Sequence, residues 1–224
     1  MPRVHFQQQL VTLKDKLLAM AALAEQCLQV SVDAYVTRNY SLCQHVFEIE
    51  SAINAAERSV DEMAYEMLAK EQPMAVDLRF ILSVIKINGD LERVGDQATN
   101  IAERAEAMQM QTCIDLPVDI KTMGATAGTM IRSAIQALLE ADAGRAEEVL
   151  AMDDAMDAMN REAQQKLLTV MQEQPACSDQ ALSAILIARN LERVADHATN
   201  IAEDVIFWVR GSDVRHKMSL AQAE

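Results

Sequence analysis

Aromatic residues make up only 4% of the 224 positions, and the chain carries only six glycines and four prolines. Strands favour aromatic and β-branched residues, and turns favour glycine and proline. A chain poor in breakers and rich in Ala, Leu and Met is set up for long helices instead. Positive charge is also short: 20 Lys and Arg stand against 34 Asp and Glu, a net charge of −14. Phosphate backbones and anionic lipid repel such a chain, which sets nucleic acid aside as a partner. No apolar run approaches the roughly 20 residues that span a bilayer. The opening MPRVHFQQQL has no apolar signal core, so the expectation is a cytoplasmic protein without membrane insertion.

Catalytic signatures are missing too. There is no GxxxxGK[ST] phosphate loop and no E-x-x-H, which argues against a ferritin-like di-iron bundle. Cys27, Cys43, Cys113 and Cys177 form no CxxC pair and read as reduced core thiols. His5, His45, His197 and His216 are scattered and read as surface residues. No Ser/His/Asp or Cys/His grouping emerges, and no enzyme is expected.

What is present is a duplication. LERVGDQATNIAE at 91–103 and LERVADHATNIAE at 191–203 match at 11 of 13 positions. Glu71-Gln72-Pro73 is echoed by Glu173-Gln174-Pro175, and Glu50-x-x-Ile53-Asn54 by Asp153-x-x-Met156-Asp157. Offsets drifting from 100 to 103 mark small insertions inside one repeated unit. Periodicity predicts three helices per unit, over 5–38, 42–70 and 74–110, then 118–141, 144–172 and 176–210. Ser41 with Gln44 has the spacing of a capping box, Asp142 suits an N-cap, and Pro73 suits a helix start. The expected architecture is all-α: two tandem three-helix bundles side by side. They divide at 1–112 and 113–210, with a frayed tail over 211–224.

On the third helix, Leu91, Val94, Ala98, Ile101, Ala102 and Ala105 fall within an arc of about 100° and form the core stripe. Glu92, Asp96, Thr99, Asn100 and Glu103 share a second arc of about 100°, and Glu192, Asp196, Thr199, Asn200 and Glu203 repeat it. On the second helix, Glu50, Asn54, Glu57 and Asp61 lie on one face, as do Asp153, Asp157, Asn160 and Gln164. Carboxylates four residues apart repel each other by a few tenths of a kcal/mol unless a cation relieves them. Two such pairs on facing helices make a hard, oxygen-rich site for Mg, Mn, Ca or iron. The plain alternative is a solvated face with Arg93 and Arg193 as counter-ions. Recurrence of the polar face in both units favours function. The methionines read mostly as core filler, and Phe207-Trp208 as a core or dimer anchor. Gly95 suits close approach of a neighbour.

The paired LERV…ATNIAE segments, with Pro73-x-x-x-Asp77-Leu78-Arg79 ahead of the first, resemble the repeated signature of the PhoU family. The resemblance reaches from the start to about Arg210. It implies a non-enzymatic regulator that damps phosphate uptake by the phosphate-specific ABC transporter and keeps the starvation response silent. The implied partners are the transporter ATPase PstB and the sensor histidine kinase PhoR, and the implied assembly is a homodimer. Some members carry iron or zinc clusters on E/D-x-x-x-D motifs. By position, these motifs are Glu57–Asp61 and Glu92–Asp96 in the first unit, and Asp153–Asp157 and Glu192–Asp196 in the second. The cofactor implied is a divalent metal: Mg, Mn, Zn or Fe. Arg93, Arg193, Asn100 and Asn200 are the candidate partner-docking residues. Glu50-x-x-x-Asn54 and Asn160-x-x-x-Gln164 depart from the pattern, so the two sites are expected to differ in charge. The competing readings are a metal buffer or carboxylate-metal enzyme, and a structural accessory of another transporter.

Overall fold

The structure, a computed structural model, describes residues 2–109, 115–212 and 214. Every element in it is helical: α1 (Pro2–Thr37), α2 (Leu42–Glu71), α3 (Val76–Ala107), α4 (Ile120–Glu140), α5 (Ala143–Leu150), α6 (Asp153–Glu173) and α7 (Ser178–Arg210). A single 3-10 turn, Pro175–Cys177, precedes α7. The first unit is α1–α3. The second is α4–α7, its middle helix divided into α5 and α6. Of the linker expected over 113–117, Cys113 and Ile114 lie outside the described residues, as does all of the tail but Gly211, Ser212 and Val214.

The short connections between α1 and α2 and between α2 and α3 force those helices antiparallel. α1 ends at Arg38 and α4 at Ala141, both in the left-handed region at φ 55° and 53°. Asp142 caps α5 as expected, accepting from the amides of Gly144 (2.8 Å) and Arg145 (3.2 Å). Asp119 caps α4 through the Thr122 amide at 2.9 Å, which the pattern reading missed. The capping box at Ser41 does not form. Ser41 is already helical, and its hydroxyl donates to Asn39 Oδ1 at 2.6 Å instead. Nor does a helix start at Pro73. Gln72 and Ala75 both take positive φ, which delays α3 to Val76. The break between α5 and α6 has a local cause: the Met152 amide reaches Val149 O at 3.0 Å, tightening one turn to an i→i−3 bond. α6 then restarts with Asp153 and Asp154 in its first turn, at the positive end of its dipole.

The two units share one hydrophobic core, running from Leu13 and Ile53 through Leu91 to Met130, Leu191 and Ile206. A smaller cluster of Leu167, Val170, Ala181 and Ala184 closes the far end of α6 and α7. α1 is long and apolar enough to cross a membrane by length and composition. This corrects the expectation that no segment is. Half of its most apolar stretch is buried inside the fold, where Met20, Ala24 and Cys27 line the core. Cys27 and Cys43 are buried, and burial pushes the Cys27 thiol up to about 12. Gly95 is where α2 and α3 close in: a Cβ there would meet Ile53 Cδ1 at 3.0 Å.

The joint between the units is the antiparallel pair α3 and α7. Ser83 Oγ donates to Asp204 O at 2.9 Å, and Arg79 Nε to Trp208 O at 3.2 Å. The rings of Phe80 and Trp208 pack tilted at 54°, 4.9 Å between centres, so Trp208 anchors one unit to the other. α3 meets α7 through the stripe 79, 83, 86, 90. α7 replies with 197, 200, 204 and 208, which the offset of 100 places on the continuation of that same stripe. Antiparallel helices that meet through equivalent stripes are related by a local two-fold axis perpendicular to both. Their outward stripes therefore point the same way.

Candidate functional site

The register of α2 against α3 is marked by one buried amide. Asn88 Nδ2 donates to Glu57 O at 3.0 Å and to Asp61 Oδ1 at 2.9 Å. One turn further along, Glu57 comes beside Glu92, and the next turn of α3 carries Asp96 into electrostatic reach of Glu50. The electrostatics reflect this order. The Glu92 carboxyl is raised by lost hydration, then by the charges of Asp96 and Glu57, with Arg93 opposing. The Asp96 carboxyl is raised by lost hydration and then by Glu50, with Arg93 and His197 opposing.

The second unit repeats the arrangement with α6 and α7. The Asp153 carboxyl is raised by lost hydration, then by Asp196, Asp157 and Asp154. Glu192 is raised by lost hydration, then by Asp196 and Asp157. Asp196 is raised chiefly by lost hydration, and Asp157 adds to it while His197 and Arg193 oppose. Asp157 also pairs with Arg161 at 3.2 Å.

The four expected residues of the second unit, Asp153, Asp157, Glu192 and Asp196, thus share one electrostatic neighbourhood. In the first unit the structure gathers Glu57, Glu92 and Asp96, but with Glu50 in place of Asp61. Asp61 sits a turn away, held by Asn88 and by the Tyr65 hydroxyl at 3.4 Å. Glu50 accepts a hydrogen bond from Asn54, the amide that departs from the E/D-x-x-x-D pattern. Glu50 was visible as the head of that imperfect motif, but only the register shows its partner.

Arg93 and Arg193 are exposed beside the two carboxylate groups. Arg93 also lines an open polar cleft of about 430 Å³ between α3 and α7, with Lys86, Gly89, Asp90, His197 and Asn200. Asn200 crosses the joint, donating to Asp90 Oδ1 at 3.2 Å, whereas Asn100 lies half-buried on the outer stripe of α3. His197 is no surface residue. Its side chain is 14% exposed, and its Nδ1 lies 2.9 Å from Asp90 Oδ1.

The donors suit a hard divalent cation. They are carboxylate oxygens whose mutual repulsion a cation would relieve. Near the first group the buried Asn88 Oδ1 has no hydrogen-bond partner. The sites are open as they stand: among the described residues, no three of His, Cys, Asp and Glu converge closely enough to hold one ion.

Fold and faces together define a duplicated, all-helical protein with two acidic patches on one side and no catalytic grouping among its described residues. The PhoU domain model matches twice, over 17–105 and 120–205, once in each unit. The chain belongs to the PhoU family. A phosphate-specific transport system accessory protein PhoU homolog from Pseudomonas putida is 39% identical over 216 residues, covering 94% of this chain and 83% of that one. PhoU homolog 1 from Thermotoga maritima is 31% identical, covering 95% and 92%. The crystal structure of PhoU from Pseudomonas aeruginosa superimposes with a TM-score of 0.88 at 37% identity, covering 92% of this chain and all of that one. The PhoU structure from Streptococcus pneumoniae has the same fold at 22% identity, with a TM-score of 0.84. PhoU proteins are accessory and regulatory proteins, and this chain, as one of them, is not an enzyme.

Proposed function

We propose that the chain is a cytoplasmic accessory of a phosphate-specific transport system. In this reading it restrains phosphate uptake and keeps the phosphate-starvation response silent while phosphate is plentiful. It acts as an adaptor between the transporter ATPase, PstB-like, and a sensor histidine kinase, PhoR-like. The observation that carries the reading is the family match falling once on each unit, over 17–105 and 120–205. Two acidic faces on one rigid frame suit an adaptor, because complementary charge steers encounter with basic patches on partners. The same carboxylates, Glu50, Glu57, Glu92 and Asp96 in one unit and Asp153, Asp157, Glu192 and Asp196 in the other, are the groups that would hold a divalent cation. A bound cation would cancel their repulsion and reset the charge that a partner meets.

The test is a starvation-promoter reporter in phosphate-rich medium, with transporter and kinase genes intact. Deletion of the gene should switch the reporter on. A deletion strain as repressed as its parent sinks the regulatory reading. Arg93→Glu with Arg193→Glu should mimic the deletion while leaving the helical spectrum intact. A normal double variant removes only the docking role of the arginines.

A further inference from the structure

Exposed apolar side chains scattered singly are ordinary. Here four of them recur by the internal duplication. Tyr65 is 54% exposed and its counterpart at offset 103, Leu168, is 52% exposed; Leu82 is 38% exposed and its counterpart at offset 100, Leu182, is 47% exposed. The register that puts Asn88 against Asp61 puts Tyr65 opposite position 84, within a turn of Leu82. On α6 and α7, Leu167 and Val170 pack in one cluster with Ala181 and Ala184, which brings Leu168 into the neighbourhood of Leu182. Each unit therefore carries an exposed apolar pair.

The pair is continuous with the carboxylates. On α2, Tyr65 follows Glu50, Glu57 and Asp61 within an arc of about 80°, and its hydroxyl reaches Asp61 Oδ2 at 3.4 Å. On α3, Leu82 shares the outward arc of Glu92 and Asp96. Each unit thus presents one composite strip, acidic at one end and apolar at the other. From Glu50 to Tyr65 it runs roughly 22 Å, at 1.5 Å per residue, the length of a helix of about 15 residues. The local two-fold axis sets the two strips on the same side of the molecule, running in opposite directions.

We infer that each strip seats one amphipathic helix of a partner, with its basic N-terminal half over Glu50, Glu57 and Asp96 and its apolar half over Tyr65 and Leu82, and likewise over Asp153, Asp196, Leu168 and Leu182. The choice of occupant rests on charge. The chain's net charge of −14 and its gathered carboxylates call for a cation. The positive N-terminal end of a helix adds to that of its basic side chains, and the apolar pair calls for the other half of the same helix. Two equivalent seats suit a partner that offers two copies of that helix. The inference rests on the reading of the chain as an accessory that docks partners, and it names what is docked.

The probe is a fluorescein-labelled helical peptide of about 15 residues, with arginines in its N-terminal half and leucines on one face of its C-terminal half. It is titrated against the full chain at physiological salt. Two peptides should bind per chain. Tyr65→Ser with Leu82→Ser should leave one seat, Leu168→Ser with Leu182→Ser the other, and all four together should weaken binding at least tenfold. The same peptide with arginines and leucines exchanged end for end should bind at least tenfold more weakly. These side chains are exposed, and an unchanged circular dichroism spectrum confirms that the variants fold. One saturable seat or none, equal binding of the exchanged peptide, or serine variants that bind as tightly as the parent would each overturn the inference. If the serine variants instead turn a dimer into a monomer by light scattering and leave peptide binding unchanged, the strips join copies of this chain and the inference also fails. None of these results depends on the reporter strain, so the regulatory reading stands or falls separately.

Discussion

His197 of α7 meets Asp90 of α3 at 2.9 Å across the joint between the two units, and the positions equivalent to them in the duplication are Gln97 and Asn190. An ionisable pair on one side of the local two-fold axis thus corresponds to a neutral pair of positions on the other. His197→Ala should cost about 1 kcal/mol, the usual net worth of one partly buried hydrogen bond. Asp90→Asn with His197→Gln copies the residues of the equivalent positions and should regain most of it. Urea denaturation of the three proteins measures both steps.

The carboxylates give a pH dependence with a definite sign. Glu92, Asp96, Asp153, Glu192 and Asp196 are all raised above their ordinary values of 4.5 for Glu and 3.8 for Asp. In the window just above those values the folded chain holds more protons than the unfolded one, so stability falls as pH rises through it. With chelator present, the melting temperature should therefore climb as pH is lowered from neutral into that window. In Glu92→Gln with Asp96→Asn the climb should shrink and neutral-pH stability should rise slightly. A calorimetric pH series with no such climb removes the claim that burial and neighbouring charge raise these carboxyls in the folded chain.

Manganese should act in the opposite direction at neutral pH. A cation that binds only the folded chain stabilises it by about 2.7 kcal/mol at a hundred times its dissociation constant. The rise in melting temperature should fall in Glu92→Gln with Asp96→Asn, and fall further when Asp153→Asn and Asp196→Asn are added. A full manganese response in the fourfold variant would place the ion elsewhere.

Two glycines should respond oppositely to alanine. Gly89 lies within α3, and a Cβ there would meet nothing within 4 Å. Gly89→Ala should stabilise by about 1 kcal/mol through helix propensity alone. A Cβ on Gly124 would lie 2.8 Å from Val32 Cγ2, where α4 crosses α1. Gly124→Ala should destabilise by about 1–3 kcal/mol through overpacking. Thermal melts of the two variants decide the signs.

Much of this was legible in the residues. The repeat at 91–103 and 191–203 announces the duplication, and the apolar arc at Leu91 and Val94 announces a core helix. The carboxylates of α3 and α7 follow from the same arithmetic. Glu50 displacing Asp61 was not legible, because the register of α2 on α3 is a matter of packing between helices, seen at Asn88 and at Ile53 against Gly95, and periodicity along one helix carries no information about its neighbour. The division of α5 from α6 was hidden for a different reason: Ala151 and Met152 are ordinary helix formers, and the break is a choice of hydrogen-bond partner. Nor did α1 advertise its composition, since Glu25 and Asp33 interrupt its apolar stretch by eye while the average stays high.

The local two-fold axis between α3 and α7 means that half a turn brings the molecule close to superposition on itself. A protein with a single matching element therefore meets two near-equivalent seats on each chain, a statistical advantage of roughly 0.4 kcal/mol, RT ln 2. A protein with two such elements gains far more, because its second element arrives already concentrated beside the vacant seat. On the inferred docking, differences within the strips, such as Tyr65 against Leu168, then decide which seat is taken first.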